Sequence, residues 1–226
     1  MSSYQIILIV CSVLAFIPAI ILHEVAHGYV AYKLGDSTAK NQGRLSLNPL
    51  KHVDPFGTVI LPAILILSGG PVFGYAKPVP YNPNNFKNKK IGDLLVGLAG
   101  PCANLLMALL GALLLYVMGL FLGPLTSVGD GVTFIVSCIY AAFLPVFIMV
   151  NLYLMFFNLL PIPPLDGSSI IGFLLPSKYL PQYYKVQQYA LPIFLVVIFA
   201  LPYFFHVDII GWYLNVTAGN LASLLM

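Results

Sequence analysis

Charge is what this sequence has least of. Only 8% of its 226 residues are Asp, Glu, Lys or Arg, against about 25% in soluble domains. Hydrophobic residues make up 60%, and the mean hydropathy is +0.94. Such a chain has too little polar surface to cover a soluble core, so it reads as an integral membrane protein. Residues 1–22 carry no charge. With neither a basic leader nor a small-residue cleavage site, this stretch is expected to stay in the mature protein. The three cysteines, Cys11, Cys102 and Cys138, lack C-x-x-C spacing, which argues against a cysteine metal knuckle. They are expected to be small packing residues. Basic residues are few and adjoin apolar runs, so nucleic acid is a poor partner and the lipid bilayer the natural one. No internal repeat, low-complexity tract or break in composition marks a second domain. One domain over 1–226 is expected.

The apolar runs predict an all-α polytopic bundle of about five or six transmembrane helices. Residues 4–34 form the first run, ended by Gly35-Asp36. Residues 91–122 and 132–160 form two more, the latter broken by Pro161-Ile162-Pro163-Pro164, since proline removes a donor and clashes with the preceding turn. Further apolar stretches run to Leu175, over 191–205 and over 209–226. Phe56 to Leu67 is too short for a comfortable span and contains Pro62, so a re-entrant or partly extended element is expected near 56–80. Eight of the ten Lys and Arg residues lie between Lys33 and Lys90. If 56–70 does not cross, the excess of cations on cytoplasmic loops puts both basic loops inside the cell and the amino terminus outside; if it crosses, that orientation fails.

Against this background one cluster stands out. The chain has a single glutamate, Glu24, and it lies in His23-Glu24-Val25-Ala26-His27. Two imidazoles one helical turn apart can share a zinc ion, with the glutamate beside them as a base for water. A charge at mid-bilayer costs roughly 2.5–3.5 kcal/mol even on translocon scales, so the cluster needs a function. A third ligand is required. Asp166 follows the proline-broken backbone within apolar sequence, where it is either that ligand or the cap of the next helix. Asn104, in Gly100-Pro101-Cys102-Ala103-Asn104, either bridges helices or holds a peptide carbonyl or an oxyanion. Asn151 and Asn158 pose the same choice. His52 is open between a loop residue, a hydrogen-bond partner of the site and a substrate contact. His206 and Asp208 lie at a span end and read as interfacial.

Taken together, His23–His27, the Gly100–Asn104 segment and Asn158–Gly167 with its Leu165-Asp166-Gly167 ending resemble the site-2 protease family of intramembrane zinc metalloproteases. The resemblance covers roughly 15–175. Asn48-Pro49-Leu50-Lys51-His52-Val53-Asp54-Pro55, Gly69-Gly70-Pro71 and Lys77-Pro78-Val79-Pro80 look like its compact branch, without PDZ-like or regulatory domains. The resemblance implies one Zn2+ per chain on His23, His27 and Asp166, with Glu24 as general base. It makes Asn104 a catalytic contact to substrate or transition state. It also implies a transmembrane protein or peptide as substrate, and a site in the cell membrane opening to the cytoplasm. Substrate is expected to pair as a strand with the extended element near 56–80. The rivals are an intramembrane metal transporter, which would need no base, and a non-catalytic relative that binds membrane peptides.

Overall fold

The computed structural model describes residues 3–60, 63–64, 67, 75–122, 131–206 and 208–226, and every regular element among them is helical. Three long helices form the centre. Helix α1 (Ser3–Lys33) and helix α2 (Lys89–Leu122) carry Pro18 and Pro101 without breaking. Helix α3 runs over 131–158, with a wide turn at Ile139–Phe143 between Gly131–Cys138 and Leu144–Asn158. Each helix is long and apolar enough to cross a membrane, over Gln5–Lys33, Lys89–Phe121 and Ile135–Asn158. The remaining apolar helices are shorter. α4 (Ser168–Leu174) packs on α2, and a short polar helix, α5 (Leu180–Gln187), leads to α6 (Ala190–Phe205). α7 occupies 209–225. At 16 residues α6 is about 24 Å long, less than the ~30 Å hydrocarbon core. The sequence's five or six spans therefore consist, among the described residues, of three full-length helices and these shorter apolar ones.

Local chemistry sets the helix ends. Gly35 takes φ +106° after α1, and the Asp36 N–H returns to the Ala31 carbonyl at 2.9 Å. This is the left-handed closure that favours glycine. Asn88 caps α2, its side chain accepting from the Ile91 N–H at 3.2 Å. α3 stops short of Pro161, and the connection folds back until the Gly167 N–H meets the Asn158 carbonyl at 2.6 Å. A β-carbon at Gly167 would stand 2.5 Å from the Leu160 carbonyl oxygen, so the return requires glycine.

Small residues let the central helices approach closely. Ala15, Ala19 and Ala31 on α1 are fully buried. Ala108 and Ala112 of α2 meet Ile148 and Leu152 of α3, and Ala218 and Ala222 of α7 close the same cluster. Large apolar side chains such as Leu14, Leu110 and Leu113 point outward. The interior holds the amides and imidazoles, the arrangement suited to a lipid solvent.

The expected re-entrant element falls partly on 61–62, 65–66 and 68–74, outside the described residues. Within them, Pro55–Ile60 is a wide helical turn, and 75–82 has no helical structure. The cysteines are not uniformly buried as expected: Cys11 is, but Cys102 is exposed and Cys138 half-buried.

Candidate metal centre

The fold brings three of the expected residues to one point. His23 Nε2 and His27 Nε2 are 3.0 Å apart, and Asp166 Oδ2 lies 3.0 Å from the first and 3.3 Å from the second. Helix α1 supplies both imidazoles from one face. Asp166 arrives from the returning connection between α3 and α4. The cap position of α4 belongs to Gly167, with no side-chain cap, so Asp166 does not take up the capping role open to it in the sequence.

The protonation of the rings follows from their outer partners. The His27 Nδ1 faces the Val96 carbonyl at 2.7 Å. A carbonyl only accepts, so Nδ1 carries the hydrogen and Nε2 a bare lone pair. The His23 ring is oriented through two amides. The Phe147 carbonyl accepts from Asn151 Nδ2 at 2.8 Å, which turns Asn151 Oδ1 toward Asn104. Asn104 Nδ2 then donates to that oxygen at 3.0 Å and to the Ala19 carbonyl at 3.4 Å. Asn104 Oδ1 is left to accept from His23 Nδ1 at 2.6 Å. Both Nε2 atoms thus present lone pairs to each other and to a carboxylate oxygen that is buried without a hydrogen-bond donor among the described residues. Three electron-pair donors facing inward repel one another unless a cation sits between them. The set of two imidazoles and one carboxylate suits zinc and leaves a fourth position open.

Asn104 lies behind the His23 ring. It is 0% exposed, its amide is committed to three protein groups, and it does not line the cavity described below. These contacts display the helix-bridging alternative: the Asn104 oxygen is bonded to the His23 ring and its nitrogen to groups on α1 and α3. Asn151, weaker in the sequence, is the next link in the same chain. Gly100, facing both imidazoles from α2, and Val96, acting through its backbone, were not legible as site residues.

A cavity of about 770 Å³ opens on the cluster. Its polar wall includes His23, Glu24, His52, Asn158 and Asp166, and its apolar wall includes Phe16, Ile20, Phe157, Leu191 and Phe194 from α1, α3 and α6. Glu24 Oε2 accepts the Val79 N–H at 2.9 Å. His52 is 3% exposed, its Nε2 bonded to the Ser46 carbonyl at 2.7 Å and its Nδ1 without a partner among the described residues. Asn158 Nδ2 donates back to the Leu154 carbonyl at 2.9 Å. From the run before α2, Tyr81 donates its hydroxyl to Asp93 in the first turns of α2 at 2.7 Å, and burial, with that carboxylate beside it, pushes the phenol well above its ordinary range.

The family model described as Peptidase family M50 matches residues 11–201. "Putative zinc metalloprotease YwhC" of Bacillus subtilis (strain 168) is 43% identical over 191 residues, covering 84% of this chain and 80% of that protein. "Putative zinc metalloprotease Rip2" of Mycolicibacterium smegmatis is 34% identical over 151 residues, 66% of this chain and 51% of that one. The protein of the same name from Mycobacterium tuberculosis (strain H37Rv) is 32% identical over 196 residues, 86% of this chain and 66% of that one. The chain therefore spans most of the Bacillus relative and about half to two thirds of the mycobacterial ones. No solved structure matches it.

Proposed function

The chain belongs to peptidase family M50, and from that premise we propose that this membrane-embedded zinc metalloprotease hydrolyses peptide bonds within or next to the transmembrane segments of other proteins. The observation that carries the reading is the convergence of His23 Nε2, His27 Nε2 and Asp166 Oδ2 within 3.3 Å, in one cavity with the chain's sole glutamate.

His23, His27 and Asp166 would hold one zinc ion. Bound there, zinc supplies a Lewis acid for the scissile carbonyl and acidifies water. Glu24 takes the proton of the attacking water and delivers it to the leaving amine nitrogen, so one carboxylate serves as base and then as acid. Its Oε2 is occupied by the Val79 N–H, which holds the carboxylate in one orientation as the proton moves. Asn104 and Val96 keep the lone pairs of the imidazoles aimed inward. His52 and Asn158, on the cavity wall, are the side chains available to hydrogen-bond a substrate backbone. Substrate backbone lies beside the run 75–82, whose Tyr75, Ala76 and Pro78 border the cavity. The apolar wall between α1 and α6 accepts its side chains. The excess of basic residues in the loops between Lys33 and Lys90 supports an opening on the cytoplasmic side of a multi-pass protein in the cell membrane.

The test is cleavage of a labelled transmembrane peptide in detergent by the wild type and Glu24→Gln, with bound zinc quantified in both. Equal zinc, cleavage by the wild type and a loss of at least about 10²-fold in the variant are expected, in line with removal of a positioned general base. Equal rates in the two proteins would exclude Glu24 as the base. Equal zinc with no cleavage by either would move the reading toward metal transport or peptide binding.

A further inference from the structure

A buried arginine that the chemistry above does not use lies one peptide group away from the base. Arg44 is 7% exposed. Among the described residues it forms no ion pair with a carboxylate, and its Nε has no partner. Uncompensated burial of a guanidinium is costly, so its contacts are informative. Nη2 donates to the Lys77 carbonyl at 2.6 Å and to the Pro78 carbonyl at 3.3 Å.

The Pro78 carbonyl and the Val79 N–H belong to the same peptide plane, and that N–H is the one held by Glu24. Proline has no N–H, so in Pro78-Val79-Pro80 the Val79 amide is the only main-chain donor, and it is spent on Glu24. The segment is fixed from other sides too. The Lys77 N–H donates to the His52 carbonyl at 2.9 Å. The Val79 side chain is buried in the space left by Gly28, where a β-carbon would stand 2.7 Å from Val79 Cγ1. Arg44 itself is turned inward by Gly43, at φ +64°, with the Arg44 N–H closing on the Ala39 carbonyl at 2.9 Å.

We infer that Arg44 is a positioning residue for the catalytic glutamate: by gripping the carbonyls of residues 77 and 78 it orients the 78–79 peptide whose N–H aims the Glu24 carboxylate. This rests on the metalloprotease reading for Glu24's role, but the grip on Val79 can be measured separately. Both carbonyls are held by the one Nη2; a lysine ammonium has donors enough for two acceptors but carries them on a more flexible stem without the rigid planar head. Arg44→Lys should keep part of the effect and Arg44→Gln very little.

The experiment uses full-length wild type, Arg44→Lys and Arg44→Gln in detergent. It measures bound zinc, kcat and KM on one labelled transmembrane peptide, and amide hydrogen exchange over 75–82. For Arg44→Gln the expected result is unchanged zinc, KM within about twofold and kcat lower by on the order of 10²-fold, as for a misplaced catalytic group. Exchange should be faster at Val79, and Arg44→Lys should fall between. Wild-type kcat in Arg44→Gln, a loss confined to KM, or lost zinc with faster exchange throughout the protein would each overturn the inference and leave the metalloprotease reading intact. A wild type that cleaves nothing would overturn both. Unchanged exchange at Val79 would reject the grip itself whatever the activity.

Discussion

At the scale of single residues, the metal centre is shaped as much by a missing side chain as by its ligands. Gly100 faces both imidazoles from α2. A β-carbon there would overlap His27 Nε2 and stand 2.6 Å from His23 Nε2. Neither ring can retreat, because each outer nitrogen is tied to an oxygen on α2. Gly100→Ala is therefore expected to lower zinc affinity by at least the 10- to 100-fold typical of lost support around a ligand, with helix content unchanged by circular dichroism. Wild-type zinc affinity in that variant would show that the rings have room the structure does not provide. The ligand types were legible in the sequence because a histidine pair at i and i+4 and a sole glutamate are rare in an apolar run. The supporting residues were not. Asn104 announces only that an intramembrane amide needs partners. Which partners it finds depends on how α1, α2 and α3 pack, and in that packing its oxygen meets His23.

At the scale of elements, the helix ends followed their punctuation. Gly35, the prolines at 161–164 and the apolar runs gave α1, α2 and α3 to within a few residues. The loops between them had no such periodicity to read. Residues 44 and 78 meet through side-chain-to-carbonyl contacts that no sequence pattern encodes. The segment after α1 is secured by Asp36, which is fully buried and accepts from Thr38 Oγ1 at 2.6 Å, the Asn82 N–H at 2.7 Å and Asn85 Nδ2 at 2.6 Å. Burial opposes its ionisation, but these donors outweigh burial and hold the carboxyl below the ordinary range. A folded value below the unfolded one, about 3.9, means that the stabilisation is complete above that value. It is lost as pH falls through the lower folded one. Acidification below about pH 4 should therefore progressively weaken the hold of the 36–38 turn on 82–85, until the carboxyl protonates in the folded state and the hold is lost. The check is hydrogen exchange at the Asn82 amide, which Asp36→Asn should raise even at neutral pH. An amide equally protected in the variant would mean that the loop does not depend on this carboxylate.

At the scale of the whole molecule, the two histidines sit on α1 and the aspartate on the connection leaving α3. Zinc would thus join parts of the bundle far apart in sequence, and binding that favours the folded state adds to its stability. At 100 times Kd the gain is about 2.7 kcal/mol. Chelation should lower the midpoint of thermal unfolding in detergent by several degrees and abolish cleavage, and zinc should restore both. A midpoint indifferent to chelator at full metal removal would mean that the bundle holds the three ligands together without help.

The same separation governs how the site is born. A chain made from its amino terminus delivers Glu24 and both histidines to the membrane first. The carbonyl of Val96, the amide of Asn104 and the carboxylate of Asp166 are still untranslated at that point. At about 5–20 residues per second, α1 waits on the order of ten seconds with its polar cluster unanswered. The protein's most expensive residues are thus a debt carried through synthesis and settled only when Asp166 arrives.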